Sequence, residues 1–580
     1  MKTVFSLIAL CLPVTLLYGQ FFWNPVVFDD DYFFDGSVHG QYLDKAFSFD
    51  LRWLPYATFE WTRTLFGLDL IWFRLGNLIL HLATTITLFL FLRRLFAHII
   101  PADSDNETLS AHWLAFFAAL IFALHPASVY AAGYLVQRST LMATLFALLT
   151  WRLFLEGLLR ENTRWLLASA ATYFLAVLSK EHAIMTPAVA IALLFLVNKQ
   201  SSRQRLMLVW PTVVLYALIG GFVIFQVKAA HILGQSYEPV AESYLSLLGD
   251  DFNARLVYPL SVLTQSFMFF KYLWVWVAPS PAWMAVDMPQ VFARSLWTWW
   301  ACAGLVGFIV YPIIAARLLR QGGLKGLLGF ALLCPWLLFA TELSTVRIQE
   351  VFVLYRSYLW MAGAFAALPF LCQKLNAKQA AMTLGFVAVL MMPLSWLRLT
   401  TFSHPLLLWD DAATLIEHSE EKRFGMDRIF YNRGSELLRA KYYDEAIKDL
   451  SKVIELKGYY SSFAYNNRGV VYLETQQYHL ALNDINKAIE LEPKREKFYR
   501  AKAQTLEALN DSTGAMLAYK QACLLGSAIA CKKTGQSESP AKSLSDFLSD
   551  TSADTSGTDP NCLAPKLQLG SDYPQALLAG

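Results

Sequence analysis

The sequence predicts an all-α protein: a polytopic membrane helix bundle of about eleven spans, followed by a C-terminal α-solenoid of helical repeats. Three observations carry this expectation. Of 580 residues, 56% are hydrophobic and only 16% are charged. The mean hydropathy is +0.39, a balance that large soluble enzymes do not have. Apolar runs of spanning length recur up to about Arg398, and beyond it the pattern changes to a 35-residue repeat.

The spans come in order. Residues 2–20 are an apolar run after one lysine; no small-x-small cleavage site precedes Phe21, so they read as an uncleaved first span. Further runs lie at 69–92, 111–126, 139–158, 164–179, 182–198, 206–227, 296–316, 326–342, 355–372 and 379–397. Basic residues mark every second loop: Arg93-Arg94, Arg160 with Arg164, Lys199 with Arg203 and Arg205, Arg317 with Arg320 and Lys325, and Lys374 with Lys378. The positive-inside rule puts these in the cytoplasm. The segments 21–68, 126–138, 179–182, 228–295, 343–354 and everything after 398 then face outward. Phe267–Val277 is apolar too, but counting it as a span would turn Arg317–Lys325 outward; it reads as a re-entrant or membrane-surface helix.

After the bundle, Tyr431-Asn432-Arg433-Gly434 recurs as Asn466-Asn467-Arg468-Gly469, Tyr443 as Tyr478, and Ala446 as Ala481. This pattern resembles tetratricopeptide repeats, each a helix pair of about 34 residues. A degenerate third copy carries Tyr499, Ala503, Ala515, Ala518 and Ala522, which gives about the minimum for a stable stack. A concave binding face would use Asn432, Arg433, Asn467 and Arg468. The expected organisation is a membrane domain at 1–398, a connecting segment at 399–427, repeats at 428–535 and a disordered, Ser/Asp/Thr-rich tail at 536–580. Of the seven cysteines, Cys11, Cys302, Cys334 and Cys372 lie in apolar segments. Cys523 and Cys531 can pair if the chain bends at Gly526; on one straight helix they would sit about 12 Å apart.

Ionisable residues beside a bilayer are where function is sought. The outward segments hold Asp29, Asp30, Asp31, Asp35 and Arg52; His125-Pro126 and Arg138; Lys180-Glu181-His182; and Glu342, Arg347, Glu350 and Tyr355-Arg356. Each alone has a structural explanation: an acidic loop ending a helix, a snorkelling cation, a capping histidine. Asn77 and His81, spaced i, i+4, read as an interhelical hydrogen-bond pair. Together, carboxylates and cations beside lipid suit a reaction in which a hydroxyl is deprotonated while an anionic phosphate leaves. A lipid-phosphate sugar is a substrate that would bring such chemistry to a membrane face. No metal-ligand cluster is visible, and the +3 net charge gives no nucleic-acid footprint.

Five stretches carry a wider resemblance. They are Val27-Phe28-Asp29-Asp30, Phe73-Arg74-Leu75-Gly76-Asn77-Leu78-Ile79-Leu80-His81, Ala123-Leu124-His125-Pro126, Leu178-Ser179-Lys180-Glu181-His182, and Glu350-Val351-Phe352-Val353-Leu354-Tyr355-Arg356. In this order, with repeats behind them, the chain resembles the GT-C superfamily of integral membrane glycosyltransferases. Within it, the chain is similar to the transmembrane and tetratricopeptide-repeat O-mannosyltransferase-like proteins and their bacterial relatives. The resemblance implies a polyprenyl-phosphate sugar donor, an exported protein acceptor, inverting transfer and an acidic base in the first outward loop, among Asp29, Asp30 and Asp31. It implies at most a weakly held divalent cation. Arg138, Lys180 and Arg356 are the expected donor-phosphate ligands, supported by Arg52, His125, Glu181 and Glu350. Having three repeats, a tail and Tyr355-Arg356 where animal members tend to have Leu-Pro, the chain is expected in a bacterial inner membrane with periplasmic repeats. In a eukaryote the repeats would face the endoplasmic reticulum lumen. The sugar stays open. A glycan or lipid acceptor, or a non-catalytic scaffold whose repeats bind partners, are the alternatives.

Overall fold

The computed structural model describes residues 2–30, 50–100, 108–197, 202–229, 254–417 and 423–535. Asp31, Asp35, Lys199 and the 536–580 tail lie outside the described residues. Within them every regular element is helical.

The bundle begins with α1 (Lys2–Gly19), α2 (Trp53–Phe66) and α3 (Leu70–Ile99). Asp69 starts α3 by accepting from the Ile71 N–H at 3.1 Å. Then come α4 (Ala111–Leu124) and α5 (Pro126–Ala132), joined at 64°. The bend has a local cause: the residue before a proline is pushed out of the α region, and His125 is extended at ψ 133. α6 (Arg138–Leu159) and α7 (Thr163–Ser179) form a tight hairpin, in which a Cβ on Gly157 would come within 2.6 Å of Leu166. α8 (Thr186–Val197), α9 (Ser202–Ala229), α10 (Val257–Val277), α11 (Trp299–Gln321) and α12 (Gly323–Phe339) follow. The bundle closes with α13 (Ser357–Ala364), α14 (Leu368–Leu371) and α15 (Ala377–Thr401).

The all-helical expectation holds among the described residues, and the expected eleven spans are met in part. Helices occupy each expected place, but six are long and apolar enough to cross a membrane, or seven if bent α4–α5 is one span. The remainder fall short for physical reasons. A 17-residue helix such as α7 is about 26 Å long, less than the roughly 30 Å of hydrocarbon. The 357–372 run is broken by a 3-10 turn at Phe365–Ala367.

Polar contacts gather at two ends of the bundle. At one, Arg94 and Arg160 reach Glu156 at 3.2 and 2.9 Å, and Ser6 meets His112 at 2.8 Å. At the other, the 24–30, 133–140, 180–182, 276–287 and 342–357 segments meet. α10 lies along the last of these: Tyr258 donates to Leu343 O at 2.9 Å, Gln265 to Val351 O at 2.8 Å, Tyr272 to Val353 O at 3.0 Å, and Trp276 to Ser357 Oγ at 3.3 Å. Both ends of the helix are thus tied to the same end of the bundle.

The segment expected as a connector contains α16 (Pro405–Thr414), which buries Leu406, Leu408 and Trp409. The repeats are three hairpins: α17 (Met426–Arg439) with α18 (Tyr443–Leu456), α19 (Ser461–Glu474) with α20 (Tyr478–Leu491), and α21 (Glu496–Ala508) with α22 (Ser512–Leu524). One apolar core runs without a break from Leu10 in α1 to Val471 in α19, so the first repeats are packed onto the bundle. Arg433 and Arg468 do not form a free concave face. Arg433 grips Asp449 at 2.6 and 2.9 Å, and Arg468 grips Asp484 at 2.7 and 3.0 Å, the same staple one repeat apart. After Gly526 (φ 104) the chain turns into α23 (Ala528–Lys533), and Cys523 and Cys531 form a disulfide.

Candidate active site

Asn24–Asp30 lies across the repeat-bearing end of the bundle, held from below by Arg74. That guanidinium donates to Asn24 O at 3.0 Å, Pro25 O at 2.7 Å and Gly133 O at 3.4 Å. The segment ends in a 3-10 turn, Phe28–Asp30, with Phe28 in the left-handed region at φ 55. A bulky residue there costs about 1–3 kcal/mol and persists only where its surroundings fix it. They do: the Phe28 ring stacks on Tyr134 and meets Trp409 edge-on, with centroids 6.2 and 4.9 Å apart.

This turn sends two adjacent carboxylates in different directions. Asp30 is 1% exposed. Its Oδ1 accepts from the Val136 N–H at 2.8 Å, and burial raises its pKa to about 7, with Arg74 pulling down. Asp29 keeps an exposed side chain, while its backbone N–H donates to the Tyr134 hydroxyl at 3.1 Å. Desolvation by the surrounding chain, then the Glu350 charge, raises its pKa to about 6; Arg428 opposes them. An accessible carboxylate that titrates near neutrality suits a general base. Asp31, the third acid, is outside the described residues.

Beside Asp29 lies a network of alternating charge. Glu342, 1% exposed, sits between Arg356 at 3.0 Å, Arg347 at 3.2 Å and His182 at 3.2 Å. Glu350 pairs with Arg356 and accepts from Tyr355 at 3.1 Å. Glu181 forms a two-point ion pair with Arg52, with Arg52 Nε at 2.9 Å, and lies 3.3 Å from His182 Nδ1. Despite burial, the Arg52 charge holds Glu181 well below the usual carboxylate range.

Lys180 caps the floor. Its ammonium donates to Thr140 at 2.8 Å and Gln137 at 3.3 Å and lies 5.1 Å over the Tyr355 ring. Burial, then the Arg52 charge, lowers its pKa to about 7. Lys180, Arg356, His182 and Thr140 line the polar side of a narrow pocket whose other wall is Leu359 and Trp360. In this structure the pocket has room for about one water; what its lining offers is cationic and hydroxyl donors facing an apolar wall. Tyr355 joins its two parts, with Lys180 and Arg356 on its ring (the latter 5.7 Å away) and a charge coupling to Asp29.

The expected residues therefore divide. Asp29, Lys180, Glu181, Glu350, Arg356 and Arg52 are brought together. Arg138 is not: it is 2% exposed, donates to Phe73 O at 2.7 Å and Asn77 Oδ1 at 2.9 Å, and covers the Phe59 ring at 4.0 Å, pinning α2, α3 and α6. His125 caps α5, accepting from Ala127 N–H at 3.1 Å, so its other ring nitrogen donates to Trp276 O at 3.0 Å. Asn77 and His81 bond between helices: Asn77 donates to Leu135 O at 3.2 Å, and His81 meets the Tyr358 hydroxyl at 2.7 Å. Among the described residues no three His, Cys, Asp or Glu side chains gather as metal ligands.

Sequence reasoning gave no role to Arg74, Asp287 or Arg428. Asp287, the single carboxylate between 254 and 295, pairs with Arg428 at 2.6 Å. A lone acid in an apolar stretch is the signal that marks it.

Comparison with known proteins bears on the C-terminal part. Tetratricopeptide-repeat family models match residues 427–460 and 462–495. A solved structure, the Sgt2 TPR domain from Aspergillus fumigatus, is 18% identical; the match covers 24% of this chain and 90% of that one, with a TM-score of 0.18. No curated protein matches the chain. The chain thus carries two recognised tetratricopeptide repeats, a module of protein–protein interaction in general, behind a helical bundle with several apolar helices.

Proposed function

We propose that the protein is a membrane glycosyltransferase of the GT-C type, moving a sugar from a polyprenyl phosphate to Ser/Thr hydroxyls of an exported protein. The observation that carries this reading is the pairing of an accessible Asp29 with a cationic pocket walled by apolar side chains. Asp29 takes the proton of the acceptor hydroxyl. The hydroxyl oxygen attacks the anomeric carbon from the face opposite the leaving group, the carbon–oxygen bond to phosphate breaks, and configuration inverts. Lys180 and Arg356 receive the polyprenyl phosphate that leaves; preorganised donors of this kind are each worth about 3–4 kcal/mol. Leu359 and Trp360 receive the first part of the lipid tail. The repeats hold the acceptor chain beside Asp29.

In this reading the shorter helices also cross, with the bilayer thinned around them, to give about eleven spans, and α10 lies at the membrane surface. The repeats face an oxidising compartment, the periplasm or a secretory lumen, which the Cys523–Cys531 disulfide favours. The test is transfer by the purified chain in lipid, with a panel of polyprenyl-phosphate sugars and pooled exported proteins. Labelled acceptor with one donor supports the reading. No labelled protein, but a labelled lipid or glycan, moves the acceptor class; no transfer at all leaves a partner-binding scaffold.

A further inference from the structure

The first repeat helix reaches back into the bundle. Arg428, in the first turn of α17, donates to Asp287 Oδ2 from Nε at 2.7 Å and from Nη2 at 2.6 Å. Its Nη1 lies 4.0 Å from Glu350 Oε1. With the Gln349 amide oxygen turned toward it, that oxygen accepts from Nε at 3.2 Å and Nη1 at 2.7 Å. The guanidinium stands 5.7 Å over the Phe28 ring, next to Asp29. A cation in the first turn opposes the helix dipole, so its partners across the interface, not its own helix, hold it there. The neighbouring Asp427 is buried and accepts from the Tyr460 N–H at 3.4 Å, which ties the start of α17 to the second repeat.

We propose that Arg428 is a positioning residue of the Asp29 site, so that docking of the repeats on the bundle completes that site. This rests on Asp29 being the base. The charged and titratable groups facing Asp29 are Glu350 and Tyr355 from the 343–357 segment, Asp287 from 278–298, Tyr134 before α6, Asp30 on its own turn, and Arg428 from the repeats. Arg428 neutralises Glu350 and Asp287 together. Without it two carboxylates face Asp29 with less compensation, and the base holds its proton to higher pH. An acceptor bound along the repeats would thereby be bound by the same body that sets the base.

The test uses the full chain in lipid and a hydrophobic carbodiimide, which adds to protonated carboxyl groups; mass spectrometry reads the Asp29 adduct against pH. In the wild type, labelling falls by half near pH 6, where Asp29 titrates. Arg428→Gln moves that midpoint up by about one pH unit, and Arg428→Lys, which keeps the charge, leaves it in place. Should Arg428→Gln strand Asp287 and unfold the interface, Asp287→Asn compared with Asp287→Asn/Arg428→Gln gives the same comparison without a buried unpaired charge, and the midpoint again rises. An Asp29 midpoint unmoved in the folded pair overturns the proposal. Absence of sugar transfer by the wild type would speak against the base assignment alone, since the labelling needs no turnover.

Discussion

The Asp30 carboxylate accepts a hydrogen bond from the Val136 N–H at 2.8 Å and joins the acidic turn to the segment that leads into α6. Asp29, one residue earlier, turns outward. The two acids are thus a buried structural tie and an accessible carboxylate.

Asp30 is expected to reveal its role through pH. Its folded pKa, about 7, exceeds the unfolded value of about 3.9. The native state therefore holds the extra proton between about pH 4 and 7, and the stability this residue contributes is lost as pH rises through that window. Asn cannot ionise and still accepts from Val136. The thermal midpoint of Asp30→Asn, measured against the wild type, should rise from pH 4 to pH 7.5; a constant difference would mean that Asp30 is charged throughout.

Arg138 separates packing from phosphate binding. A Cβ on Gly76 would stand 2.8 Å from its Nη2, so the glycine makes room for the guanidinium. Arg138→Lys loses the fork that bonds Phe73 O and Asn77 and is expected to cost about 2–3 kcal/mol, seen as a lower thermal midpoint with the KM for donor unchanged. A raised donor KM at an unchanged midpoint would make Arg138 a phosphate ligand.

The repeat staple is graded by position. Arg433 and Asp449 are both buried, and truncating one leaves the other uncompensated; Arg433→Ala should cost about 3–5 kcal/mol. Arg468→Ala, more exposed at 19%, should cost less. Amide hydrogen exchange in α17 and α18 against that in α19 and α20 reads the two separately.

What the sequence disclosed, and what it withheld, follows from the range of the signals. The repeats are local and periodic, so Tyr431-Asn432-Arg433-Gly434 and its copy located them. The polar motifs were legible because ionisable residues are rare in an apolar chain. Their grouping was not: Arg138 and Lys180 are equivalent in a list of outward cations, yet one bonds Phe73 and Asn77 inside the bundle while the other lines the pocket. The ion pair of Arg428 with Asp287 spans 141 positions, and no periodicity records a contact of that range. The span count goes beyond the six or seven long apolar helices because hydropathy does not see where α4 bends at Pro126 or where Phe365–Ala367 breaks the 355–372 run.

The most direct test of the account is donor-to-acceptor sugar transfer by Asp29→Asn and Asp30→Asn, each in lipid and each checked for a wild-type elution profile. The account predicts that Asp29→Asn loses at least about 100-fold, the scale of a general base, while Asp30→Asn stays within about tenfold. Transfer that survives Asp29→Asn would contradict it.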